Sequence, residues 1–125
     1  MKAKIVQTME PELMLDVSEE MLVFRKTASP KMVDVASYPA NAYRNFLVSG
    51  NIGWDSGYNP ELDFVPNAGT YTFKPAVNNT GSTLKSFVTV FIQEGEKLVS
   101  KVITVIQQAT DLFWNTTIST FPPAA

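Results

Sequence analysis

Two β-branched runs joined by a tight turn constrain this chain more than any other feature. Lys85-Ser-Phe-Val-Thr-Val-Phe-Ile-Gln93 sets Val88, Val90 and Ile92 on one side and Phe87 and Phe91 on the other. After Glu94-Gly95-Glu96-Lys97, the segment Leu98-Val-Ser-Lys-Val-Ile-Thr-Val-Ile-Gln107 resumes the pattern. Successive side chains alternate across a strand, and Val, Ile and Phe fit a pleated surface, so the whole stretch reads as a hairpin. Large apolar residues on both sides of 85–93 imply a strand covered on both faces.

Other strands follow from the same period. In Gly69-Thr-Tyr-Thr-Phe-Lys-Pro-Ala-Val77, Tyr71, Phe73 and Val77 alternate with Thr70, Thr72 and Lys74, which gives one buried and one wet face. Pro75 has no N–H for a ladder, so this strand lies at a sheet edge or stops pairing there. Met21-Leu-Val-Phe24, Met32-Val-Asp-Val-Ala36 and Arg44-Asn-Phe-Leu-Val-Ser49 are shorter candidates, separated by Ser29-Pro30 and Tyr38-Pro39. Asn51-Ile-Gly53, Ser56-Gly-Tyr-Asn-Pro60, Pro66-Asn-Ala-Gly69 and Asn78-Asn-Thr-Gly81 carry turn chemistry. Punctuation every eight to twelve residues or so is the spacing of a β-sandwich. Met14, Val17 and Met21 stand at helical spacing, but 10–22 reads as strand or extended arm, and no amphipathic helix is demanded anywhere.

At 125 residues the chain is one domain with enough apolar side chains, 45%, to bury a core without metal or disulfide. It has no Cys and no His, which removes thiol nucleophiles, imidazole bases and the usual zinc ligands. Ten Lys and Arg against twelve Asp and Glu leave a net charge of −2, so nucleic acid is not an expected partner. No apolar run approaches the roughly 20 residues of a membrane-spanning helix, and no membrane association is expected. Lys2 and Lys4 break the N-terminal apolar run before it forms a signal sequence, so the product is expected to stay where it is made.

Three segments are expected: an arm over 1–17, a sandwich over 18–109 and an extension over 110–125. The extension carries Leu112, Phe113, Trp114, Ile118 and Phe121, each of which would forgo about 1.5 to 3 kcal/mol if left in water. Two destinations are open to it: its own sandwich, as a strand or flap, and a neighbouring subunit.

The order Ser49-Gly-Asn-Ile-Gly-Trp54, Phe64-Val-Pro66-Asn-Ala-Gly69, Val77-Asn-Asn-Thr-Gly81, a Val-Thr-Val strand and a closing Val102-Ile-Thr-Val-Ile-Gln107-Gln108 resembles the BACON domain. That family is an immunoglobulin-like β-sandwich found in Bacteroidetes proteins and in virion proteins of crAss-like bacteriophages. The likeness spans about residues 18 to 109. Trp54 falls where the family's tryptophan follows a short turn, and Gln107 or Gln108 where its last strand ends in glutamine. Glu61-Leu62-Asp63-Phe64 replaces a second tryptophan, and Lys85 stands for the basic residue after the Asn-Thr turn. The resemblance implies an all-β, antiparallel, immunoglobulin-like sandwich of about seven to eight strands with terminal extensions.

The function expected is that of a non-enzymatic structural protein of a bacteriophage virion, made in the host cytoplasm. It would be a capsid auxiliary or decoration protein, or a fibre-associated one, with Leu112, Phe113, Trp114, Ile118 and Phe121 binding capsid, other virion proteins or copies of itself. The alternative is a carbohydrate-binding module reading mucin or surface glycans, with Trp54 and Tyr58 as ring platforms and Asn51 and Asp55 as hydroxyl partners. Tyr38 and Tyr43 are further aromatic candidates. The plainer reading of Trp54 is a core aromatic at the start of a strand. Asp55, Asn59, Glu61 and Asp63 share a loop, but their spacing matches no calcium loop and nothing there promises a buried carboxylate pair. No catalytic residue, metal or cofactor is expected. Asn78-Asn79-Thr80 and Asn115-Thr116-Thr117 fit the glycosylation pattern and read as turn and tail residues.

Overall fold

The computed structural model describes residues 12–60 and 64–112. Among them the chain forms β1 (Met14–Val17), β2 (Met21–Phe24), β3 (Lys31–Tyr38), β4 (Tyr43–Gly50), β5 (Thr70–Phe73), β6 (Leu84–Glu94) and β7 (Lys97–Gln107), with no helix. One sheet has three strands in the order β1-β3-β5 and the other has four in the order β2-β7-β6-β4. The two sheets pack together, making an all-β, sandwich-like fold.

Strict alternation drives the packing. In β6, Leu84, Ser86, Val88, Val90 and Ile92 are buried, and in β7 Ile103, Val105 and Gln107 face the same interior. The smaller sheet contributes Leu15, Val17, Val33, Val35, Tyr71 and Phe73. Each fully buried aliphatic or aromatic side chain stabilises the fold by about 1.5 to 3 kcal/mol, so a one-residue register slip would turn the whole core outward. Aromatic rings close one end. Phe64 stacks on Tyr71 at 4.6 Å and meets Phe73 edge-on at 5.1 Å, while Phe46 meets Tyr71 edge-on at 5.6 Å. Burial raises the Tyr71 hydroxyl pKa above its ordinary value, against a smaller opposite effect of the nearby Arg44 charge.

The β6–β7 hairpin forms as expected, with Glu94 opposite Lys97 and Gly95 at φ 63° in the turn. β5 stops at Phe73, before Pro75, and lies at the edge of its sheet. Pro75 retains one isolated antiparallel bridge, to Trp54. The Tyr38–Pro39 bond is cis in the turn from β3 to β4. At the end of β4, Gly50 has φ 111°, and a Cβ there would run into Lys85 O and Ser86 Cα, so only glycine lets β4 close on β6.

Two expectations need correction. The sandwich is not wholly antiparallel, because β2 runs parallel to β7, with Met21 opposite Thr104 and Phe24 opposite Gln107. No hairpin joins these strands, so no turn dictates their direction. The boundary drawn at residue 17 falls after a strand of the sandwich: Met14–Val17 pairs with β3 and buries Leu15 and Val17. The short length of β1 and its flanking acids hide it in the sequence.

Buried polar groups bind the strand ends. Gln107 is fully buried and its Nε2 donates to Lys26 O (2.9 Å), Ala76 O (2.8 Å) and Arg25 O (3.3 Å). Asn78 is also buried; its Nδ2 donates to Ser82 O (2.8 Å) and Gln108 O (3.1 Å), and its Oδ1 accepts from Thr80 N (3.0 Å) and Thr80 Oγ1 (2.7 Å). The first of the two glycosylation patterns is therefore a closed turn with its amide turned inward.

Candidate functional site

The residues suggested for glycan contact lie close in the chain, with the Tyr58 N–H donating to Asp55 O at 2.9 Å, and each has other partners. Trp54 is half-buried, packed against the core with its ring centroid 6.0 Å from that of Phe73. Asn51 turns its Oδ1 to the Lys85 N–H at 3.0 Å. Asp55 accepts from Lys74 Nζ at 2.6 Å, and that hydrogen bond chiefly holds its carboxyl below the ordinary value of 3.8. Tyr58 lines a shallow cleft with Phe64 and Tyr71. Tyr38 lies on the outer side of β3 and Tyr43 on the outer side of β4. Tyr38 and Tyr43 thus belong to different sheets. Glu61 and Asp63, and the extension residues Phe113, Trp114, Ile118 and Phe121, lie outside the described residues. Asn115 of the second glycosylation pattern lies there too. Among the described residues no three His, Cys, Asp or Glu side chains group to hold a metal ion, and no helix is long and apolar enough to cross a membrane.

The strongest surface feature is one that the sequence pattern misstates. Phe87 and Phe91 of β6 do not lie under a third layer; they belong to the outer face of the four-stranded sheet, with Phe87 37% exposed. Register assembles the rest of that face. Ser49, Phe87, Thr104 and Met21 form one row across the sheet; Leu47, Thr89 and Val102 form the next. Asn45, Phe91 and Ser100 follow, then Tyr43, Gln93 and Leu98, while Lys85, Ile106 and Val23 make the opposite margin. Leu47 is 66% exposed, Leu98 57%, Met21 54% and Val102 44%. Four strands about 4.8 Å apart, and about 27 Å from Lys85 to Gln93, give a surface of roughly 500 Å². Its exposed apolar members, Met21, Leu47, Phe87, Leu98 and Val102, are interleaved with Ser49, Thr89, Ser100, Thr104 and Gln93.

Charge is almost missing from it. Lys85 is the one ionic side chain among the outward positions of these four strands, and its Nζ lies 5.9 Å from the Phe87 ring centroid. The remaining positions are apolar or carry neutral Ser, Thr, Asn and Gln. Such a surface attracts through area and short hydrogen bonds rather than through salt-dependent steering.

One edge of the same sheet, β4, is partly engaged. Along β4, the Arg44 N–H donates to Asn67 Oδ1 and the Phe46 N–H to Asn45 Oδ1, both at 2.8 Å. Arg44 is itself buried, with its guanidinium donating to Ala68 O and, at 3.0 Å, to Ser37 Oγ. β4 is thus fastened to the loop that precedes β5 and offers its face more readily than its edge.

At the foot of the sheet the chain leaves β7 beside the continuation of β2. Gln108 N–H donates to Phe24 O (2.9 Å) and Lys26 N–H to Thr110 O (3.0 Å). Asp111 then takes the Thr27 N–H at 2.7 Å and the Thr27 hydroxyl at 3.0 Å. The Thr27 N–H is the main cause that lowers the Asp111 pKa below 3.8. Leu112 follows, exposed.

Compared with known proteins, the chain matches no family model and no curated protein sequence.

Proposed function

We propose that this chain is a non-enzymatic, BACON-like module of immunoglobulin type that serves as a structural protein of a bacteriophage virion. It acts by contact, as a capsid auxiliary, decoration or fibre-associated subunit. The observation that carries this reading is the nearly uncharged outer face of the four-stranded sheet, which is wide enough for a protein partner. The chain lacks the imidazole and thiol groups on which most neutral-pH catalysis depends. The buried Gln107 at the end of β7 and the inward-packed Trp54 stand at the positions on which the family likeness rests.

The carbohydrate reading draws less support, because Asp55 and Asn51 are committed to Lys74 and to the β6 backbone. Mass spectrometry of gradient-purified particles from the phage that encodes the chain tests the proposal. Its peptides are expected in fixed ratio to the major shell protein. Their absence from intact particles, with the protein abundant in the lysate, would overturn it.

A further inference from the structure

We infer that the outer face of the four-stranded sheet is the seat for residues 113–125 of a second copy, so that copies join tail to face. This rests on the contact role proposed above and specifies the contact. The two surfaces match in chemistry. Residues 113–125 contain no charged side chain and combine Phe113, Trp114, Ile118 and Phe121 with Ser, Thr and Asn. The face presents the same mixture, with Leu47, Val102 and Leu98 set among Thr89, Ser100 and Gln93.

Size and direction select the occupant. A segment of this length reaches about 40 Å when extended, enough to traverse the face from end to end. The chain leaves β7 heading away from the face, whose rows run backward from Ile106 to Leu98, and Asp111 is tied to Thr27 at that exit. Phe113 and Trp114 come within two residues of Leu112. Folding back onto their own sheet, these two rings would meet its margin at Val23 and Ile106, and only Ile118 and Phe121 would reach further in. On a neighbour they can take the central rows. Adding the segment as a strand at β4 is disfavoured, because the Arg44 and Phe46 N–H groups are occupied.

Tail-to-face contact is heterologous, so it propagates from copy to copy. The test uses full-length chains and sedimentation velocity over a range of concentrations. One variant carries Leu47→Lys and Val102→Lys on the face; the other carries Phe113→Ser and Trp114→Ser in the tail. The unmodified protein is expected to form dimers and larger species, and each variant alone to associate at least a hundredfold more weakly. An equimolar mixture of the two variants is expected to form heterodimers that grow no further, since only one tail and one face remain intact. Thr89→Lys, a single change at the centre of the face, replaces the double variant if circular dichroism shows that the latter is unfolded.

A tail variant that still self-associates would mean face-to-face pairing and would overturn the inference. A monomeric unmodified protein whose outer-face amides are protected from exchange only while the tail is intact would show an intrachain seat, with the same result. A mixture that forms no heterodimer would also overturn it. If the chain is found in particles yet never self-associates, this inference fails while the virion role stands; self-association without incorporation has the opposite meaning.

Discussion

The two outer faces of the sandwich cover the same core and differ in one respect. On the three-stranded sheet, Asp16 and Asp34 interrupt the exposed Met14, Met32 and Tyr38, and Asp34 Oδ1 accepts from the Thr70 hydroxyl at 3.1 Å. On the four-stranded sheet, Lys85 is the one outward charge and stands at a margin. Inside, both sheets follow the same alternation of aliphatic and aromatic side chains. Folding demands the interior pattern of both sheets, but it does not demand that one exterior be stripped of charge. That difference is what sets the proposed contact face apart.

The contrast between inside and outside is sharpest within β6. Val88→Lys, at a fully buried position, is expected to cost more than about 4 kcal/mol and to leave no cooperative urea transition. Thr89→Lys, its neighbour on the outer face, should shift stability by no more than about 0.5 kcal/mol while abolishing self-association. Met32→Lys, on the other sheet's exterior, should change neither; loss of assembly from that variant would erase the distinction between the faces. An effect on stability smaller than that of Val88→Lys is expected from Gln107→Leu, which deprives the Lys26 and Ala76 carbonyls of a buried donor and should lower unfolding free energy by about 2 kcal/mol in urea titrations. Because that clamp ties β7 to the chain after β2, its loss should loosen the exit at Asp111 as well.

The smallest effect concerns acid. Asp111 and Asp55 both have folded pKa values below 3.8, so the unfolded chain binds more protons as pH falls past that value. Their contribution to stability is complete above 3.8 and disappears as pH falls through the lower, folded values. Asp111→Asn should therefore flatten part of the acid limb of a stability-against-pH curve, leaving the rest to Asp55. An unchanged limb would mean that the bonds from Thr27 do not favour the ionised carboxylate.

Much of this architecture was legible in the residues, because period two is a local property. Val88, Val90 and Ile92 had to share a side whatever lay opposite, and Pro75 had to limit its strand. What lay opposite was not legible. Phe87 and Phe91 suggested a strand covered twice over, since a hydrophobic side chain reads the same whether it faces a core or waits for a partner. The parallel pairing of β2 with β7 depends on contacts more than 80 residues apart in sequence, as between Met21 and Thr104. Trp54 read more plainly as a core aromatic than as a sugar platform, and it packs against the core beside Phe73. The outer face itself is written across four strands, and only register brings Leu47, Val102 and Met21 onto one surface.

The side-chain bonds along β4 bear on what happens when copies crowd together. A bare ladder edge at high local density invites strand-on-strand stacking, which deepens into cross-β fibres and does not readily reverse. With Asn67 and Asn45 holding the Arg44 and Phe46 amides, that route is blunted at β4. In the proposed assembly, copies would lie shoulder to shoulder, lock through side chains, and still come apart as folded molecules.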